Sequence, residues 1–181
     1  MRKKKNKKKI FDYRWVFIVT VLAFLISVLL SSISESIIPN AHLSISIILI
    51  IVFILLGVIF DMIGVASTTA DSSVFHAMSA RGIKSSKVAL KLINNSAKVS
   101  SLCCDVIGDI CGVISGSCAA AISVQLISKL EAKGILISVV ITSFTAALTI
   151  GGKALGKGYA VNKSNVILEK FSKILYPFMG R

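Results

Sequence analysis

The run ISIILIIVFILLGVIF, Ile45 to Phe60, most limits what this chain can become. Continued to about Ala66, it reaches the ~20 apolar residues a helix needs to cross the ~30 Å hydrocarbon core of a bilayer. No charged residue interrupts it before Asp61. A helix that is apolar all round belongs in lipid or in the centre of a large core. With 181 residues, 55% of them hydrophobic, and a mean hydropathy of +0.85, the chain has no soluble core that could bury it. Lipid is the solvent the composition demands.

Further segments of the same kind follow from the pattern: Trp15 to Leu30 with extension to about Ile33, about Val99 to Ile127, and Ile135 to about Ile150. The expected fold is all-α: a polytopic helical membrane protein of about four spans, with amphipathic juxtamembrane helices and no soluble domain. The first span follows MRKKKNKKKIFDYR and precedes SSIS, an order that also describes a secretory signal. Its apolar core is long and the rest of the chain is itself membrane-embedded, so a retained anchor is expected. The organisation read from this is a basic cytoplasmic tail at 1–14, an additional span and outside loop at 15–44, and a transmembrane domain at 45–181.

The net charge of +13 sits in blocks between the apolar runs. Aromatic residues are hardly interleaved with the basic ones, which argues against nucleic acid and for anionic lipid headgroups. Ser67 to Lys98 carries Arg81, Lys84, Lys87, Lys91 and Lys98, and Lys153, Lys157, Lys163, Lys170, Lys173 and Arg181 follow the fourth run. SSISESIIPNAH, which holds Pro39 and His42, has no lysine or arginine, and only Lys129 and Lys133 lie between the last two runs. By the positive-inside tendency both termini and the Ser67–Lys98 stretch are cytoplasmic. SSKVALKLI (85–93) and SNVILEKFSKILYPF (164–178) place apolar residues at helical spacing beside lysines. Each is expected either in the headgroup layer or packed beneath the bundle.

The third segment differs from the second in being rich in Gly, Ser, Cys and Ala. Gly108, Gly112 and Gly116 fall four apart, with Cys104 and Ala120 on the same row, which predicts a close helix–helix contact. Asp105 and Asp109 share a face of that helix, and Asp61 lies toward the cytoplasmic end of the preceding span. Carboxylates within spans cost about 3 kcal/mol on insertion scales and commonly mark ion paths. Asp61 and Asp105 could equally sit at the interface in reach of water; Asp109, one turn deeper, is the strongest of the three. With Ser67 and Ser115 or carbonyls bared near glycine, these acids would suit a hard cation such as Mg2+. Cys103, Cys104, Cys111 and Cys118 lack the paired spacing of a zinc site and are read as packing residues. His42 and His76 have no triad companions, and no phosphate-binding or dinucleotide loop is present, so an enzyme is not expected.

The order GVIFDMIGVA, SSKVALKLI, VIGD, GGKALGKGYA and ILYPF, from Gly57 to Phe178, resembles the transmembrane domain of the CorB/CorC and CNNM (cyclin M) proteins. The resemblance implies divalent-cation (Mg2+ or Co2+) transport or efflux across the cell membrane, a homodimer, and no tightly bound cofactor. It also marks departures. The family's first Glu falls on Gly64, with Ala66 retained. Its signature Glu falls on Lys153 and its Pro on Gly156, while Lys157 keeps the final Lys, and a usual Asn falls on Val113. The chain reads as a divergent relative without the CBS-pair domain. Two functions stay open: a cation transporter, and a noncatalytic scaffold or regulatory partner that has lost ion handling, with Lys153 paired to an aspartate. Transport is preferred.

Overall fold

The computed structural model describes residues 13–37, 43–130 and 134–179. Helices α1 (Tyr13–Ile37), α2 (Leu43–Thr69), α3 (Ser72–Ala80) and α4 (Ser85–Asn94) come first. Then α5 (Ser96–Ser100), a π-helical segment (Ser101–Gly108) and α6 (Asp109–Leu130) run on without a break, followed by α7 (Gly134–Asn162) and α8 (Ser164–Met179). Four stretches are long and apolar enough to cross a membrane: Tyr13–Ile33, Leu43–Thr69, Ser96–Ile127 and Gly134–Asn162. The chain is a helical polytopic membrane protein.

The fourth span departs from expectation. It does not end near Ile150 but continues as helix to Asn162, so Lys153 and Lys157 lie on α7 rather than beyond it. Alanine, leucine and lysine in GGKALGKGYA sustain a helix that hydropathy alone stops early. The basic residues 1–12, His42, Ala132 and Lys133 lie outside the described residues.

Spans α2, α6 and α7 pack against one another, and α1 lies at the edge against α6 and the π-helical segment. Their core is one row of α6, Ile110, Ile114, Cys118 and Ile122, with Ile50 of α2, Val106 and Ala119. Residues four apart stack on one helix face, and beside this row α6 also buries Cys111, Ser115, Ala119 and Ser123. From α1, Val19, Ala23, Ile26 and Leu30 pack on it, and Lys98 stands 4.8 Å over the Trp15 ring.

A second core holds the other end together: Phe75 of α3, Val88, Ala89 and Leu92 of α4, and Leu168 of α8 are all buried. Of the two arrangements open for the amphipathic segments, α4 takes the packed one. Its apolar side is spent on α3 and α8, and Lys87 and Lys91 face outward. Helix α8 divides its apolar residues, burying Leu168 and leaving Val166 and Ile174 exposed. Helix α3 was not expected. Its start is nonetheless written in the sequence: Asp71 is an N-cap whose carboxylate accepts from the Ser73 amide at 2.9 Å.

Candidate cation site

Helix geometry gives the charged residues a common depth. Asp61 lies 18 residues along α2 from Leu43, roughly 27 Å at about 1.5 Å per residue. Asp109 lies roughly 31 Å from Leu130 and Lys153 roughly 28 Å from Gly134 by the same rise. Against a hydrocarbon thickness of about 30 Å, all three sit in one layer at the end of the spans that carries α3, α4 and α8. They form a rim of charge nearer that end of the spans than the other.

Two lysines of α7, one turn apart, meet two aspartates there. Lys153 Nζ donates to Asp109 Oδ1 at 2.9 Å, and Lys157 Nζ lies 3.4 Å from Asp61 Oδ2. The pairs differ in burial. The Asp109 side chain is 68% exposed, whereas that of Asp61 is 2% exposed. The Lys157 contact satisfies an ion-pair distance but not hydrogen-bond geometry, and Asp61 Oδ2 is buried without a hydrogen-bond partner. An ionised carboxylate so placed is costly unless a cation compensates it. Lys157 supplies the charge and leaves the lone pair open.

Glycine explains how Asp61 becomes so enclosed. A Cβ on Gly57 would lie 3.2 Å from Cys111 Cβ and 3.5 Å from the Gly108 carbonyl oxygen. One on Gly64 would strike Cys104 Sγ and come within 3.3 Å of Cys103 Cβ. Helix α2 therefore meets the π-helical segment almost backbone to backbone. Cys104 takes the room that a side chain at position 64 would need, and its Sγ lies 3.6 Å from the Asp61 carbonyl oxygen. On the other side, a Cβ on Gly156 would lie 2.8 Å from Val58 Cγ1 and 3.1 Å from Met62 Cγ. That close approach brings α7, and with it Lys157, onto α2.

The glycine row predicted as one contact splits. A Cβ on Gly108 would be 3.3 Å from the Cys103 carbonyl oxygen and 3.6 Å from Lys153 Nζ, one on Gly112 would touch Thr149 at an ordinary 3.8 Å, and one on Gly116 would meet nothing. Gly112 and Gly116 instead line a cavity of about 220 Å³ between α6 and α7, with Ser115, Thr145 and Thr149. No disulfide joins the four cysteines; Cys103, Cys111 and Cys118 are buried, as packing residues would be.

The structure joins only some of the residues singled out from the sequence. Asp61 and Asp109 share the rim through α7. Asp105 is exposed. Ser67 and Ser115 are buried, but each hydroxyl donates to its own helix, Ser67 to the Gly64 carbonyl at 2.7 Å and Ser115 to that of Gly112 at 2.9 Å. Ser115 lies well inside the bundle, six residues beyond Asp109. Among the described residues no three His, Cys, Asp or Glu side chains converge as a ligand set. What the site offers a cation is one buried carboxylate oxygen without a hydrogen-bond donor. Water must complete the shell, as it commonly does for Mg2+. Lys157 and Cys104 were not read as site residues; lysines at i and i+4 opposite carboxylates on neighbouring spans were the available signal.

A family model, the cyclin M transmembrane N-terminal domain, matches residues 47–180. No curated protein and no solved structure matches the chain.

Proposed function

Because the chain belongs to the cyclin M transmembrane N-terminal domain family, we propose that it moves a hard divalent cation, Mg2+ before Co2+, across the membrane. The observation that carries this reading is Asp61: a carboxylate 2% exposed, at the rim of the spans, with one oxygen lacking a hydrogen-bond donor. A small, strongly charged ion that keeps several waters needs few protein oxygens and gains most from one buried negative charge. The ion enters from the side of α3, α4 and α8, and passage is by alternating access within α2, α6 and α7. In this reading Asp109 draws cations to the rim, and Ser67 and Ser115 are supporting oxygens on either side. Both termini face the cytoplasm, the lysines of α4 and α8 face anionic lipid, and the working unit is a homodimer.

The test is Mg2+ flux into proteoliposomes, read with an entrapped indicator. The natural chain is expected to exceed empty vesicles, and Asp61→Asn to lose at least about tenfold of that flux. Flux no greater than that of empty vesicles sinks the reading. A second reading has its own support: the Lys153–Asp109 and Lys157–Asp61 pairs already neutralise two carboxylates without a metal. On that reading the chain is a noncatalytic scaffold or a regulatory partner of another transporter, and it will fold, insert and carry no ion.

A further inference from the structure

The two lysines of α7 are held in opposite ways. Lys153 is mostly buried, 19% exposed, and makes a 2.9 Å hydrogen bond to a carboxylate that is 68% exposed on the face of the bundle. Lys157 is 52% exposed and stops 3.4 Å short of a carboxylate that water does not reach, in a geometry that makes no hydrogen bond. An ammonium on a flexible four-carbon stem, half exposed and within two turns of the end of α7, can swing toward the interface and leave such a contact. Asp61 cannot follow it, because Gly57, Gly64 and Gly156 pack its helix against the neighbouring spans.

We propose that Lys157 is a tethered counter-cation on Asp61 that an incoming ion must displace, and that it thereby sets which ions the site accepts. The proposal rests on the transport reading above. Its consequence is electrostatic. A monovalent ion that replaces the ammonium exchanges one positive charge for another and gains little. A divalent ion brings twice the charge to the same buried carboxylate, so its attraction exceeds that of the group it expels. The lysine therefore selects against Na+ and K+ while lowering affinity for every ion. Lys153, short-bonded and mostly buried, stays in place and ties α7 to α6.

The full chain in lipid nanodiscs tests this in two measurements. The first is calorimetric Mg2+ titration of the natural chain and of Lys157→Met, Lys157→Gln and Lys153→Met. Removing a tethered competitor is expected to tighten Mg2+ binding roughly tenfold, since a tethered group acts at a local concentration in the millimolar range. Lys157→Met and Lys157→Gln should also let Na+ compete more strongly, while Lys153→Met stays within about twofold of the natural chain. The second needs no variant. Mg2+ added to the natural chain should raise labelling of Lys157 by an amine-reactive reagent several-fold, read by mass spectrometry, and leave Lys153 unchanged. If the natural chain binds Mg2+ but labelling of Lys157 does not rise, or if neutral variants bind no tighter, the tethered-cation role is overturned and the transport reading survives. If no protein in the set binds Mg2+, the transport reading fails and takes this proposal with it.

Discussion

The two sides of the third span use small residues to opposite ends. Toward α2, the π-helical segment and the start of α6 press Cys103, Cys104 and Cys111 onto Gly57 and Gly64, leaving no room for even one added carbon at Gly64. Toward α7, Gly112 and Gly116 border a cavity of about 220 Å³. In the bilayer, close packing is what holds helices together, because lipid is as apolar as the side chains. Among the glycines of these two helices, those on the α2 side serve close packing, and Gly112 and Gly116 on the α7 side leave open space.

The sharpest way to break this contrast is Gly64→Leu. A branched side chain would have to displace Cys104 and part the two backbones, at a cost of about 1–3 kcal/mol or more. Thermal unfolding in detergent is expected to show a marked drop, and an unchanged melting point would refute the close approach. Gly57→Ala should fall between the extremes, within about 1 kcal/mol of the natural chain, because the gain in helix propensity is offset where Cys111 Cβ must yield by a few tenths of an ångström. The same melts read it, and a loss as large as that of Gly64→Leu would contradict the geometry.

Gly116→Ala should differ in sign as well as size. Nothing lies within 4 Å of the added carbon. The helix then gains from the loss of a flexible residue, by up to about 1 kcal/mol. A melting point raised or unchanged agrees with the open cavity, and a loss comparable to that of Gly64→Leu would place a packing partner there.

The smallest effect concerns Asp71, outside the spans. The amide and hydroxyl of Ser73 hold its carboxyl below the usual carboxylate value. A lowered native value means that its capping contribution is present above the unfolded value and is lost as pH falls through the native one. Because the group is fully exposed, solvent and salt screen the effect to a small one. Asp71→Asn keeps a cap without the titration. The natural chain should therefore lose slightly more thermal stability than the variant below about pH 4, and equal losses would remove the cap from the account.

The rim and its two ion pairs were legible in part. Asp61, Asp105 and Asp109 stand out as acids in apolar runs, and pairing of Lys153 with an aspartate was one of two open arrangements. Lys157 was visible only as the match to the family's signature lysine and not as the partner of Asp61, because hydropathy falls near Ile150 while helix propensity carries α7 on to Asn162. The π-helical segment has no local sequence signature, since its extra residue per turn is accommodated by packing against α2.

Length and hydropathy by themselves determined the membrane, the four spans and the two amphipathic helices, since the cost of exposing apolar surface to water is summed locally along the chain. The rows of small residues could be seen as well. Which glycine receives a neighbour, which aspartate is enclosed and which lysine answers it were decided by tertiary structure. Those outcomes depend on the rotation of each helix about its axis and on its offset along the next. Both are set by the mutual packing of α2, α6 and α7 and by no property of any one of them.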